Sequence, residues 1–253
     1  MIGIFDSGSG GLTVLSALRR ELPSADIMYF GDTAHAPYGP RSREEITRLT
    51  VEALRRLTER GAERIVSACN SVSASLAVSL YDTILTAPDA LIEMVGPTVA
   101  WLRDVPERLL VVATEATIRS EIYQNAFRMV GKDVAVCAIP LLAGAIEAGE
   151  SREELARIIA ESLTPEVLEN ADAVVLACTH YPLALDAFRA VVPPAVPLID
   201  PAEAVARRAK KLWWPREAGN GSLRFLISKD SVQFRSVLAR LFPDASYEVE
   251  VVE

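Results

Sequence analysis

The feature that most constrains the fold is an alternation of short, unbroken apolar runs with longer segments of helical period. The runs are Ile2 to Phe5, Ile27 to Phe30, Ile65 to Ala68, Leu109 to Ala113, Val134 to Ile139 and Val174 to Ala177. None alternates polar with apolar, as expected of strands covered by helices on both faces. Between them, Leu12, Leu15, Leu18 and Leu22 recur on one helical face, and Ile46, Leu49, Ala53 and Leu57 do so on a helix from about Arg43. Further helices are read at Ile118 to Val130, Ser151 to Leu163, Pro182 to Val191, Ala202 to Leu212 and from Ser231. Ser151 with Glu154 forms a capping box, Asp200 and Pro201 supply an N-cap and first-turn proline, and Asp230 with Gln233 caps the last helix. Leu223 to Ile227 and Tyr247 to Val252 read as closing strands. The pattern predicts an α/β protein with two similar, doubly wound, mainly parallel sheets. With 253 residues, two domains are expected. They are read as 1–96 plus 207–253, and 97–206, because a second domain keeping the tail would outgrow the first.

Composition removes several function classes. A formal charge of −8 opposes a phosphate-backbone binder, which needs clustered cations. The one dense basic run, Arg207, Arg208, Lys210 and Lys211, reads as the solvated face of a helix. No basic leader precedes the first strand and no apolar stretch is long enough to span a bilayer, so a cytoplasmic protein without membrane or nucleic-acid partners is expected. Cys69, Cys137 and Cys178 are odd in number and lack zinc-type spacing, so reduced thiols are expected.

Two of these cysteines sit in loops that look like copies. Cys69 follows Val66-Ser67-Ala68, and Cys178 follows Leu176-Ala177, each directly after an apolar run. Each half also opens with a strand that ends in a small polar loop, at Asp6-Ser7-Gly8 and at Thr114-Glu115-Ala116. Asp6 precedes Cys69 by 63 positions and Thr114 precedes Cys178 by 64, as a duplication would leave them. Parallel sheets bind ligands outside the carboxyl ends of their strands, so all four loops belong on functional edges. Two such edges face to face would bracket a small molecule with one sulfur on either side.

That geometry suits inversion of an amino-acid α-carbon, which removes a proton from one face and delivers one to the other. Helix N-termini after each cysteine, on Asn70 to Leu80 and Pro182 to Val191, are expected to favour thiolates. Asp6 and His180 are the auxiliary bases, one per half. Hydroxyls of Ser7, Ser71, Thr114, Thr117 and Thr179 and the amide of Asn70 could hold a substrate carboxylate. Cys137 reads as a small core hydrophobe. Gly8, Ser9, Gly10 and Gly11 lack the glycine that a dinucleotide fingerprint needs at Thr13, and the tight turn is read as close approach to a small ligand. A zinc site from Cys69, Cys178, His180 and His35 lacks the usual spacing, so no metal is expected. None of the four lysines, Lys132, Lys210, Lys211 and Lys229, stands in a strand-end motif that could carry pyridoxal phosphate, so no cofactor is expected. A non-catalytic amino-acid binding protein with a cleft between two lobes is the competing reading.

The chain resembles the glutamate racemase family along nearly its whole length. The likeness runs through Asp6 to Thr13, Tyr29 to Thr33, Pro37 to Gly39, Cys69-Asn70, Ala113 to Ser120, Pro140 to Glu147 and Cys178-Thr179-His180-Tyr181-Pro182. It implies two α/β domains with the site between them, cofactor-free interconversion of L- and D-glutamate for peptidoglycan, and a homodimer. By the same resemblance Cys69 and Cys178 are the acid/base thiols, supported by Asp6, Glu147 and His180. Asp6, Ser7, Tyr38, Gly39, Asn70, Ser71, Thr179 and His180 are the implied substrate contacts. Glu147, Tyr38 and Gly39 enter on the resemblance alone. Ser71 and Val72 stand where the family usually has Thr and Ala, and His35 and Arg41 where it has Arg and Lys. Aspartate or a related acidic amino acid is therefore an alternative substrate.

Overall fold

The computed structural model describes residues 1–74, 89–105, 108–216 and 218–252. Among the described residues, ten strands form two wholly parallel sheets. The first, in spatial order β10-β9-β2-β1-β3-β4, comprises β1 (Ile2–Asp6), β2 (Ile27–Gly31), β3 (Arg64–Ser67), β4 (Leu91–Ile92), β9 (Leu223–Ile227) and β10 (Tyr247–Val251). The second, β6-β5-β7-β8, comprises β5 (Leu109–Ala113), β6 (Ala135–Ala138), β7 (Ala173–Leu176) and β8 (Leu198–Ile199). Counted within each half, both sheets run second, first, third, fourth, with β9 and β10 added beside β2. Cys69 and Cys178 each follow the third strand of their half, so the repeated loops are equivalent in space as well as in sequence.

The apolar runs split by the two-residue period of a strand. Ile2 and Ile4 enter one core of the first sheet and Phe5 the other. Leu110 and Val112 face one core of the second sheet while Leu109, Val111 and Ala113 face its opposite. Burial on both sides explains why no polar alternation is visible. The helix Leu12–Glu21 packs on the first core through Leu12, Val14, Leu15 and Leu18. The helix Ala202–Trp213 joins the same core from Ala202 onward, through Val205, Ala206, Ala209 and Trp213. Its polar face carries the basic run, where Lys210 pairs with Glu21 at 2.9 Å and Arg207 lies over the Trp101 ring.

Several expected boundaries move for local reasons. The helix read over Ile118 to Val130 is two, Glu115–Arg119 and Ile122–Met129, parted at Glu121 with φ +56°. Ser120 Oγ donates to the Thr117 carbonyl and accepts from Ile122 N, so a side chain takes over main-chain pairing there. Ser231 rather than Asp230 caps Val232–Leu241, accepting from Phe234 N. The segment before Leu185–Val191 is a 3-10 turn, Tyr181–Ala184. Asn70–Ser73 is helical as expected, with Ala74 as its C-cap, while residues 75–80 of the helix read to Leu80 lie outside the described residues. Strands β4 and β8 span two residues each, too few to leave a period. Among the described residues no helix is long and apolar enough to cross a membrane.

Candidate active site

In a parallel sheet of this order the crevice opens at the carboxyl ends of the first and third strands, where connections leave in opposite directions. Asp6 ends β1 and Cys69 lies two residues past β3; Thr114 follows β5 directly and Cys178 lies two residues past β7. The four loops meet at one small cavity, lined by Ser7, Tyr38, Gly39, Cys69, Asn70, Ser71, Thr114, Cys178, Thr179 and His180 together with Pro37 and Ala143. Both thiols are buried, at 5 % and 6 % exposure, yet line the same space. Asp6, Thr117 and Glu147 do not line it. They stand behind the lining residues and hold them.

The two sulfurs have unlike surroundings. Cys69 Sγ donates to Ser7 Oγ at 3.6 Å. Burial and then the nearby Asp6 charge push its thiol up to about 12. The expected thiolate at this helix start is thus reversed, because desolvation and a like charge outweigh one helical turn. Asp6 is fully buried and accepts from Gly8 N and from Thr179 Oγ1, both at 3.0 Å. Cys178 Sγ lies 3.9 Å from His180 Nδ1, and His180 Nε2 lies 2.7 Å from Glu147 Oε2. Burial alone would strip the imidazole of its proton, but Cys178 and Glu147 on its two nitrogens overcome this and hold it well above the usual histidine range. Burial also works to raise the Glu147 carboxyl, which His180 and Ser9 more than reverse, keeping it anionic. One thiol therefore keeps its proton, and the other faces a protonated imidazole.

The remaining lining groups are polar and pinned. Asn70 Oδ1 accepts from Tyr123 Oη at 2.7 Å, while its buried amide nitrogen has no partner among the described residues. Ser71 Oγ and Thr114 Oγ1 meet across the two halves at 3.3 Å, and Thr114 Oγ1 is 3.1 Å from Thr117 Oγ1. Tyr38 Oη donates to Asp32 Oδ2 at 2.7 Å, and Asp32 also accepts from Ser228 Oγ at 2.6 Å and pairs with His35. His35 is thereby engaged in supporting the Tyr38 loop. Ser9, Asp32 and Tyr123 were not singled out in the sequence. Only Ser9 left a signal, as the one side chain inside the glycine run.

That glycine run proves to be a contact between the halves. A Cβ on Gly8 would lie 2.9 Å from Glu147 Oε2, and one on Gly10 would lie 2.6 Å from Thr179 Oγ1 and 2.7 Å from His180 Nδ1. The close approach read there as toward a small ligand is instead toward the opposite half of the protein.

The protonation of Cys69 has a direct readout. A thiol with its pKa at about 12 is thiolate to only about 10⁻⁵ at neutral pH. Ionisation, and with it alkylation by iodoacetamide, should keep climbing by about tenfold per pH unit past ~8.5, where ordinary cysteines level off. Timed labelling read by peptide mass spectrometry checks this. A plateau for Cys69 in the ordinary thiol range would contradict it.

Two lobes of one strand order each deliver a cysteine to a shared polar cavity, and the two sulfurs meet contrasting neighbours there, a carboxylate and an imidazolium. The Asp/Glu/Hydantoin racemase family matches residues 11–209. The glutamate racemase of Aquifex aeolicus is 35% identical over 232 residues, covering 91% of this chain and 89% of that protein. The glutamate racemase of Koribacter versatilis is 37% identical over 217 residues, covering 84% and 74%. Among solved structures, the glutamate racemase of Francisella tularensis in complex with D-glutamate superposes with a TM-score of 0.87 at 30% identity, covering 100% of this chain and 97% of that one. The chain belongs to the Asp/Glu/Hydantoin racemase family and is an amino-acid racemase.

Proposed function

We propose that this racemase interconverts L- and D-glutamate by a two-base mechanism, with Cys69 and Cys178 on opposite faces of the α-carbon and no cofactor. The observation that carries the reading is the pairing of two unlike thiols in one cavity. In one direction the Cys178 sulfur, as thiolate, takes the α-proton beside the His180 imidazolium. The Cys69 thiol then protonates the opposite face. Reversal exchanges the roles. Asp6 assists Cys69, and Glu147 orients His180. Ser7, Asn70, Ser71, Thr114, Thr179, His180 and the Tyr38-Gly39 segment hold the substrate, and the expected contacts Asp6 and Thr117 act from behind the cavity wall, through Thr179 and Thr114. The unpartnered Asn70 amide nitrogen is a ready donor for a carboxylate oxygen. The relatives' names favour glutamate, as does the D-glutamate held by the Francisella protein.

The same reading places the enzyme in the cytoplasm as a homodimer that supplies D-glutamate for peptidoglycan. It divides the chain into domains 1–96 plus 207–253 and 97–206. Pairing of β9 with β2 supports the return of the tail. Packing of the helix Ala202–Trp213 on the first core would carry the second boundary back a few residues.

Incubation with L-glutamate in D₂O tests the substrate. Loss of optical rotation should accompany one deuterium entering at the α-carbon of the inverted product. Aspartate is one methylene shorter, a difference of about 10- to 200-fold in kcat/KM. Faster turnover of aspartate, or no exchange with glutamate, would overturn the assignment.

A further inference from the structure

We infer that Ser9 is a positioning residue of the Cys178 half-site, acting from the opposite lobe through Glu147 on His180. The inference rests on the reading of Cys178 and His180 as an acid/base pair. Ser9 lies in the loop after β1, fully buried. Its hydroxyl donates to Glu147 Oε2 at 2.6 Å, and its amide donates to Oε2 at 3.0 Å and to Oε1 at 3.3 Å. The same Oε2 accepts from His180 Nε2. One carboxylate oxygen thus serves three donors, two from the first lobe and one from the second. The glycines on either side of Ser9 leave room for this, since a Cβ at either would strike Glu147 or His180.

The chemistry follows from how that oxygen is shared. An ionised carboxylate only accepts, so the His180 nitrogen facing it carries a proton and the ring presents Nδ1 to Cys178. Each further donor on Oε2 draws off negative charge and weakens its pull on the imidazole proton. The Ser9 hydroxyl therefore both aims the carboxylate and moderates how tightly His180 keeps its proton. Without it, Glu147 becomes more basic, His180 binds its proton more firmly, and proton exchange with Cys178 slows.

The chain has two histidines, so its imidazole nitrogen spectrum contains only His35 and His180, with a His180→Asn protein to assign them. In Ser9→Ala, loss of one hydrogen bond to a charged group should move the His180 titration upward by about 0.5–1 pH unit and leave His35 in place. The limb of the kcat/KM profile that reports His180 should move with it, with kcat down about three- to tenfold. Ser9→Thr, which keeps the hydroxyl, should restore both. Unchanged His180 resonances in a folded Ser9→Ala protein would overturn the inference, as would a moved resonance with an unmoved kcat/KM profile. Absence of racemisation by the unsubstituted protein would instead remove the reading beneath it, and the nitrogen spectrum would still report whether Ser9 governs His180.

Discussion

Cys69→Ser is expected to abolish racemisation, by about 10³-fold or more, while α-proton exchange with solvent persists for one enantiomer without inversion. The reason is the asymmetry between the thiols. Cys178 keeps its protonated His180 partner when Cys69 is gone, so it can still remove and return a proton on its own face. In Cys178→Ser the surviving thiol is Cys69, which burial and Asp6 hold in the protonated form, so exchange and inversion should both vanish. Racemisation has an equilibrium constant of one, which forces kcat/KM to fall equally in the two directions for either variant. Steady-state rates therefore cannot tell the halves apart, but deuterium incorporation can. Proton NMR of each enantiomer in D₂O, alongside chiral chromatography, makes the measurement. Faster exchange by Cys178→Ser than by Cys69→Ser would reverse the assignment of the two sulfurs.

Gly10→Ala should damage both stability and activity. Its Cβ would sit 2.6 Å from Thr179 Oγ1, 2.7 Å from His180 Nδ1 and 2.8 Å from the His180 backbone nitrogen. The backbone atom cannot rotate away, so the two lobes must separate or the His180 turn must shift. Overpacking of this kind costs about 1–3 kcal/mol, and here the displaced group is the imidazole beside Cys178. Stability and kcat/KM should fall together. Gly131→Ala is the control: φ of +77° with open space around it strains an alanine by about 1 kcal/mol, and Gly131 is not among the cavity-lining residues. It should lower the unfolding midpoint and leave kcat/KM unchanged. Urea unfolding with parallel assays separates the two, and a fully active Gly10→Ala protein would show that the loop does not press on the opposite half.

How much of this was legible beforehand depended on the range of each interaction. The strand cores were readable because a strand buried on both faces needs only a local run of apolar residues, as in Ile2 to Phe5 or Leu109 to Ala113. The duplication was readable because Asp6 with Cys69 and Thr114 with Cys178 keep matched spacing. Helix ends were less so. At Glu121 the Ser120 side chain interrupts a pattern whose apolar period runs on unbroken. Glu147 was reached only through family resemblance, since an acid near a helix end is usually solvated and nothing near it in sequence says that Ser9 and His180 will close on it. Tyr123 was invisible for the same reason, since its partner Asn70 lies 53 residues away, and so was the tie from Asp32 to Ser228, 196 residues on, although its bonds to His35 and Tyr38 are local.

The order of residues alone determined the parallel α/β layers, the two halves and which cysteines stand at strand ends, because these follow from local burial and from repetition. Tertiary structure decided the surroundings of each sulfur. Cys69 and Cys178 occupy matching loops, yet one is desolvated beside a carboxylate and the other beside an imidazolium. The same fact explains Gly8 and Gly10, whose missing side chains make room for the opposite lobe. Electrostatic environment and steric fit are set by what converges in space, and only the closed pair of lobes brings those groups together.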